Sequence, residues 1–238
     1  FIYASSVSVY GNVKKYMASE KSSTNPQSFY GIGKLASERY LKIYEKQGIL
    51  STSLRLFNVY GPGQNLNNMK QGMISIYLSQ IMKKKSLVVK GKKTRFRDFI
   101  YIDDVIDIFI ECLNNKNTIN RIINVCNMKK ISVELVIKLL FKLTKIKVPI
   151  TYLSSTPGDI HGVVGENKLL KLIFKKKSMY STDMFKYLLS SNNLSRFSIL
   201  NSSLKIRMHS TSKINHCYNA LKERLDKQNM KTNNEIKD

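Results

Sequence analysis

Tyr30 and Lys34 stand four residues apart in the run Tyr30-Gly31-Ile32-Gly33-Lys34. On a helix that spacing puts a phenol and an ammonium on one face, one turn apart. A free tyrosine has a pKa of about 10, so its use as a base near neutral pH demands a shift of about 3 units, or roughly 4 kcal/mol. A neighbouring lysine charge acts in the required direction by favouring the phenolate. Upstream, Ala4-Ser5-Ser6-Val7-Ser8-Val9-Tyr10-Gly11 follows the apolar, strand-like run Phe1-Ile2-Tyr3-Ala4. In open parallel sheets ligands bind beyond the carboxyl ends of the strands, so Ser6 sits where a hydroxyl can hydrogen-bond a reacting oxygen. Each signal alone is weak: a serine-rich turn is usually only a turn, and a lone Tyr-x-x-x-Lys is usually an exposed helix pair.

These residues need a scaffold, and the hydrophobic pattern supplies one. Strand signals at Phe1–Ala4, Thr52–Phe57, Leu87–Lys90 and Ile122–Val125 alternate with helical stretches at about Ser28–Gln47, Met73–Lys84 and Asp103–Leu113. Ser132 caps a further helix that runs to about Lys145, with Glu134 in its first turn. Alternation of this kind marks an α/β protein with a parallel sheet. Asp103 and Asp104 suit the positive end of their helix and read as structural. The strand near Thr52 ends in the turn Tyr60-Gly61-Pro62-Gly63.

Two further stretches complete an ordered set: Arg55-Leu56-Phe57-Asn58-Val59-Tyr60-Gly61-Pro62-Gly63, and Arg97-Asp98-Phe99-Ile100-Tyr101-Ile102-Asp103-Asp104. Together with the serine-rich strand end and the Tyr-x-x-x-Lys helix, and over roughly residues 1 to 175, they resemble the extended short-chain dehydrogenase/reductases. The resemblance is to the NAD-dependent epimerase/dehydratase group, and within it to the UDP-glucose 4-epimerase type. It implies a Rossmann-like parallel sheet, here only its C-terminal part, with a smaller α/β substrate-binding domain. Residues 1–61 and 101–126 would belong to the first, residues 62–100 and 127–177 to the second, and 178–238 form a basic, polar tail without assignment. By the same resemblance Tyr30 is the acid/base, Lys34 tunes it and contacts the nicotinamide ribose, and Ser6 holds the sugar hydroxyl. Ser5 and Phe57 lie with Ser6, Tyr30 and Lys34 on the NAD side. Asn58 binds the substrate's sugar or phosphate, Arg97 clamps the diphosphate of a UDP-sugar with its forked donors, and Asp159 of Thr156-Pro157-Gly158-Asp159 accepts from the nucleotide ribose. For Phe57 alone, an ordinary core position fits equally well. Homodimers in which the Tyr30 helix takes part are usual in the family.

The serine motif also discriminates among reactions. Sugar-nucleotide dehydratases place acidic residues where this chain has Val7 and Ser8, and decarboxylating relatives use a glutamate at the position of Ser8, so epimerisation at carbon 4 is preferred. A reductase using the same Ser, Tyr and Lys stays open. So does a non-catalytic member that has become a binding protein. Two departures bear on this. Many relatives have arginine where this chain has Thr156. And no Gly-x-x-Gly-x-x-Gly or Gly-x-Gly-x-x-Gly loop to cradle the cofactor pyrophosphate occurs in the chain. The expectation is a fragment that binds NAD poorly by itself.

Composition bounds the rest. A chain of 238 residues with 42% hydrophobic content can bury a sizeable core. No apolar run of spanning length and no signal segment is present, which gives a cytoplasmic default. The formal charge of +24 raises a polyanion partner, but the lysines are spread along the chain and no nucleic-acid module accompanies them. Cys112, Cys126 and Cys217 have no paired spacing and read as reduced thiols. His161 has no partner spacing that suggests a metal, and none is expected. Short helices are expected at Asp183–Leu189 and Asn219–Gln228 within the tail.

Overall fold

The computed structural model describes residues 1–61, 64–70, 72–83, 86–156 and 158–174. The chain enters through β1 (Ile2–Ser6), turns past a short β2 (Met17–Ala18), and reaches α1 (Phe29–Glu45). It continues through β3 (Thr52–Leu56), β4 (Asn58–Tyr60), α2 (Met73–Met82), β5 (Leu87–Lys90), β6 (Phe96–Arg97), β7 (Phe99–Tyr101) and α3 (Ile102–Asn114). β8 (Arg121–Val125), β9 (Ile131–Ser132), α4 (Val133–Thr144), β10 (Ile150–Leu153), β11 (Val164–Gly165) and α5 (Lys168–Ile173) follow. The tail beyond Phe174, with its two expected helices and Cys217, lies outside the described residues, as do Pro62, Gly63, Lys84 and Pro157.

The site rests on a parallel sheet in the order β1-β3-β8. Its register aligns Ala4 with Leu54 and Leu54 with Ile123, while one residue on Ser5, Arg55 and Asn124 form the next row. Because side chains alternate across a strand, these rows face opposite sides. On the apolar side Leu54, Ile123 and Val125 pack with Val105, Ile108 and Cys112 of α3 and with Leu170 and Phe174 at α5. The 3.6-residue period in Val105, Ile108 and Cys112 lays that helix on the sheet. Asp103 and Asp104 sit in its first turn, where carboxylates favour the helix dipole. Truncating a fully buried side chain here, such as Ile108→Ala, costs about 2–5 kcal/mol.

Segments distant in sequence meet in the remaining layers. β5 pairs in parallel with β10, β6 pairs antiparallel with β9, and α2 packs on α4. β4 runs parallel to β7, and β2 to β11. The strand expected to extend through Phe57 closes at Leu56 and resumes as β4 at Asn58, whose backbone N–H turns to the Asp98 carbonyl at 3.0 Å. α2 ends at Met82, two residues before the expected boundary.

Candidate active site

Ser6 is the last residue of β1 and caps the short turn after it, its Oγ accepting from the Ser8 N–H at 3.2 Å and lying 3.1 Å from the Ser8 Oγ. α1 begins on Ser28, whose Oγ accepts from the Gly31 N–H at 3.1 Å, an N-cap of the usual kind. Gly31 decides how closely the two meet. A Cβ there would stand 2.6 Å from the Ser8 carbonyl oxygen and 2.9 Å from the Pro26 Cβ, so only glycine lets the first turn of α1 rest on the serine loop. Gly33, two residues on, faces open space.

That approach carries Tyr30 to the carboxyl end of the sheet with its side chain open to solvent, 55% exposed. Lys34, one turn later, donates from Nζ to the Ala4 carbonyl at 2.8 Å. The same ammonium stands 5.5 Å from the centre of the Tyr30 ring and 5.0 Å from that of Tyr3. The structure thus brings Ser6, Tyr30 and Lys34 to one strand end.

One more turn along α1 lies Glu38, which sequence reasoning missed. It is 4% exposed, and both of its oxygens are engaged: Oε1 accepts from the Ser5 hydroxyl at 2.5 Å and from Arg55 Nε at 2.9 Å, and Oε2 accepts from the second arm of Arg55 at 2.6 Å. Arg55, itself buried, places its guanidinium 4.7 Å from the centre of the Tyr10 ring. The Tyr10 hydroxyl donates to Asn124 Oδ1 at 2.6 Å, and burial pushes that phenol up to about 12. Asn124 in turn holds the Ala18 carbonyl at 3.0 Å, and its backbone N–H donates to Glu20 at 2.8 Å. This polar row crosses the sheet beneath the serine loop and ties β1, β3 and β8 to α1. The Ser5 hydroxyl, expected on the cofactor side, is therefore committed to the framework. The available signal was the four-residue spacing of Tyr30, Lys34 and Glu38 on one helix face.

A second cluster lies at β6. Arg97 donates to Asp159 Oδ1 at 2.5 Å, and to the carbonyls of Phe96, Ile160 and His161 at 2.7, 3.3 and 3.3 Å. Arg95, a residue sequence reasoning passed over, pairs with the other oxygen of Asp159 and with the Lys90 carbonyl. Burial pulls the Arg97 guanidinium down from its ordinary value, while Asp159 opposes the shift and Arg95 adds to it. The two clusters are neighbours: a Cβ on Gly158, beside Asp159, would lie 3.8 Å from the Ser28 Cβ at the start of α1. Exposed His161 packs its ring with Tyr16 and Phe96.

Asn58 and Phe57 occupy the junction between the clusters. Asn58 Nδ2 donates to the Asp98 carbonyl at 2.9 Å. Phe57 is buried with Val9, Tyr10, Ala18, Cys126 and Val163, the surroundings of a core side chain. Asp98 is fully buried; its carboxylate accepts from the N–H groups of Asn127, Met128 and Gly165 at 3.1, 3.0 and 3.1 Å. Burial outweighs those donors and pushes its carboxyl up to about 6. Cys112 and Cys126 are buried and outside any disulfide; burial pushes the Cys112 thiol up to about 11 and raises Cys126 as well, so both are inert as nucleophiles. Among the described residues no group of three or more His, Cys, Asp or Glu is placed to hold a metal, and no helix is long and apolar enough to cross a membrane.

Comparison with known proteins bears on the fold and the family. The model of the NAD dependent epimerase/dehydratase family matches residues 1–126. The Bacillus subtilis UDP-glucose epimerase YtcB, itself uncharacterized, is 31% identical over 160 residues, which are 67% of this chain and 49% of that one. The UDP-glucose 4-epimerase of Mycolicibacterium smegmatis is 35% identical over 104 residues, 43% of this chain and 33% of its own. Among solved structures, the UDP-glucuronic acid 4-epimerase of Bacillus cereus, in complex with UDP-glucuronic acid and NAD, superposes with a TM-score of 0.75 at 28% identity. It covers 84% of this chain and 62% of its own. The chain spans about half the length of these curated relatives, or less.

Proposed function

Because the chain belongs to the NAD-dependent epimerase/dehydratase family, we propose that it carries the catalytic and substrate-binding part of a nucleotide-sugar 4-epimerase of the UDP-glucose/UDP-galactose type. The observation that carries this reading is the convergence of Ser6, Tyr30 and Lys34 on the open end of β1, with Gly31 pressed onto the serine loop. Tyr30 takes the proton of the sugar's 4-hydroxyl and later returns it, and Ser6 hydrogen-bonds the same oxygen, as general acid/base chemistry requires. Lys34 holds its charge over the phenol and offers remaining donors toward a ribose. The Val7 and Ser8 positions bring no carboxylate for an elimination.

The residues present fit the nicotinamide-ribose end of NAD: a hydroxyl, an exposed phenol and an ammonium share one strand end. When bound, NAD supplies a reversible acceptor for the hydride of carbon 4. The protein's part is to let the resulting 4-keto sugar turn and present its other face. Arg97 takes the diphosphate, Asn58 the sugar side, and Asp159 the nucleotide ribose. The complexes of the solved relatives with UDP-sugars and NAD support this assignment of ligand classes.

The test is conversion of UDP-galactose to UDP-glucose with added NAD, for this chain alone and joined to an upstream glycine-loop segment, with Tyr30→Phe in each. The expected result is turnover that falls by about 10²–10⁴-fold in Tyr30→Phe while UDP still binds. Turnover that survives Tyr30→Phe would remove the phenol from the mechanism, and absence of turnover in every form would withdraw the substrate.

A further inference from the structure

Charge at the β6 cluster does not balance. Arg95 is 6% exposed and Arg97 partly buried, and the two share a single carboxylate, Asp159, one oxygen each. A guanidinium stays protonated at any working pH, so a desolvated site with two of them and one Asp holds one positive charge too many. Arg95 also keeps a donor in hand: its Nε is buried and has no hydrogen-bond partner among the described residues. The backbone makes room for that head group. Gly91 has φ +80°, and a Cβ there would stand 2.7 Å from Arg95 Nε. Thr156, on the adjoining segment, adds no charge.

One carboxylate cannot neutralise two forked cations, whereas a diphosphate with two or more negative charges can, accepting from both forks at once. We propose that Arg95 and Arg97 together form a two-guanidinium clamp for the diphosphate of the nucleotide ligand, and that Asp159 is its resident counter-ion, displaced when the diphosphate arrives. The inference rests on the nucleotide-sugar reading and adds to it a residue, Arg95, and an exchange. Asp159 leaves the arginines as the diphosphate enters, which frees its oxygens for a ribose hydroxyl. Until then it competes with the ligand for the same donors.

Calorimetric titration of the full 238-residue chain with inorganic pyrophosphate, UDP and uridine tests this. Arg95→Gln should weaken pyrophosphate and UDP by about 10–100-fold, the loss expected for hydrogen bonds to a charged group, and leave uridine unchanged. Arg95→Lys keeps the charge without the fork and should fall between. Asp159→Asn should bind pyrophosphate several-fold tighter, a gain that misfolding cannot produce. If Asp159 served the ribose alone, Asp159→Asn would weaken UDP and leave pyrophosphate untouched, and the counter-ion role would be overturned. Wild-type binding of both ligands with Arg95→Gln within about twofold would sink the clamp while the nucleotide-sugar reading stands. Failure of the wild type to bind UDP or pyrophosphate would remove both.

Discussion

Glu38 is the residue whose removal should do the most damage for its distance from the reacting atoms. It accepts three hydrogen bonds, from the Ser5 hydroxyl and from two nitrogens of Arg55, at 2.5, 2.9 and 2.6 Å. Arg55 is 3% exposed, and its third nitrogen, Nη1, already lacks a hydrogen-bond partner among the described residues. Glu38→Ala would therefore strand a buried cation. Breaking such a pair costs about 3–5 kcal/mol, whereas replacing both partners by apolar groups of similar volume is often close to neutral. Against a typical stability of about 5–15 kcal/mol, the single change should lower the urea midpoint sharply without always unfolding the chain. The assay is a double-mutant cycle by urea denaturation at neutral pH: Glu38→Leu, Arg55→Met and the pair together. The singles should each cost about 3 kcal/mol or more, and the pair much less than their sum. Additive costs, or a Glu38→Ala loss below about 1 kcal/mol, would refute the claim that this ion pair anchors α1 to the sheet.

Three further outcomes follow from the same geometry. Gly31→Ala should cut turnover of the joined form more than it cuts UDP binding, because a Cβ 2.6 Å from the Ser8 carbonyl oxygen lifts Tyr30 off the serine loop. Gly33→Ala, in open space, should instead stabilise by up to about 1 kcal/mol; thermal melts and kinetics of the two variants check the contrast, and equal effects would contradict it. Asp98 has a folded pKa raised from 3.8 to about 6, so the folded state holds more protons between those values. Its contribution is greatest below pH 4 and falls by about 3 kcal/mol as pH rises through 6. The stability difference between wild type and Asp98→Asn, measured from pH 4 to 8, should show that slope. A flat difference would mean that the backbone donors hold the carboxylate charged throughout. Finally, Lys34→Met should cut turnover of the joined form more than it weakens UDP binding, since the Lys34 ammonium stands 5.5 Å from the Tyr30 ring centre and is held by the Ala4 carbonyl. Unchanged turnover would remove Lys34 from the proposed site.

What the sequence showed and what it hid divide along a physical line. Long periodic segments were legible: α1, α3 and α4 formed within two residues of their expected limits, because apolar spacing and the Ser28 and Ser132 caps are local information. The residues proposed to react could be singled out in the sequence because they sit at strand ends and helix starts, where such side chains stand out against turn composition. Two-residue ladders such as β6 with β9 and β2 with β11 carry no period and could not be seen. Ser5, Arg55 and Asn124 gave no warning of forming one row, because their alignment exists only in the register of three strands that are far apart in sequence. A strand reading Thr-Ser-Leu-Arg-Leu looks half-exposed, yet its first four residues are buried. The helix it faces supplies a carboxylate in place of a leucine.

That substitution of ion pair for apolar packing bears on how the two clusters stay aligned. A non-directional apolar contact would let α1 slide on the sheet at small cost. A bidentate Arg55–Glu38 pair with a third bond to Ser5 fixes both rotation and translation, and Tyr30 and Lys34 ride on the same helix, two turns and one turn away. From Arg55 the chain runs through Phe57 directly to Asn58. Asn58 clasps the Asp98 carbonyl with both its backbone and side-chain nitrogens, and Asp98 adjoins Arg97. The proposed acid/base and the proposed diphosphate clamp are thus joined by a short path of covalent and hydrogen bonds, each short enough to hold a set distance between them. Positioning of this kind is what a 4-epimerase would require of its protein, because the sugar must turn over while its diphosphate stays where it is held.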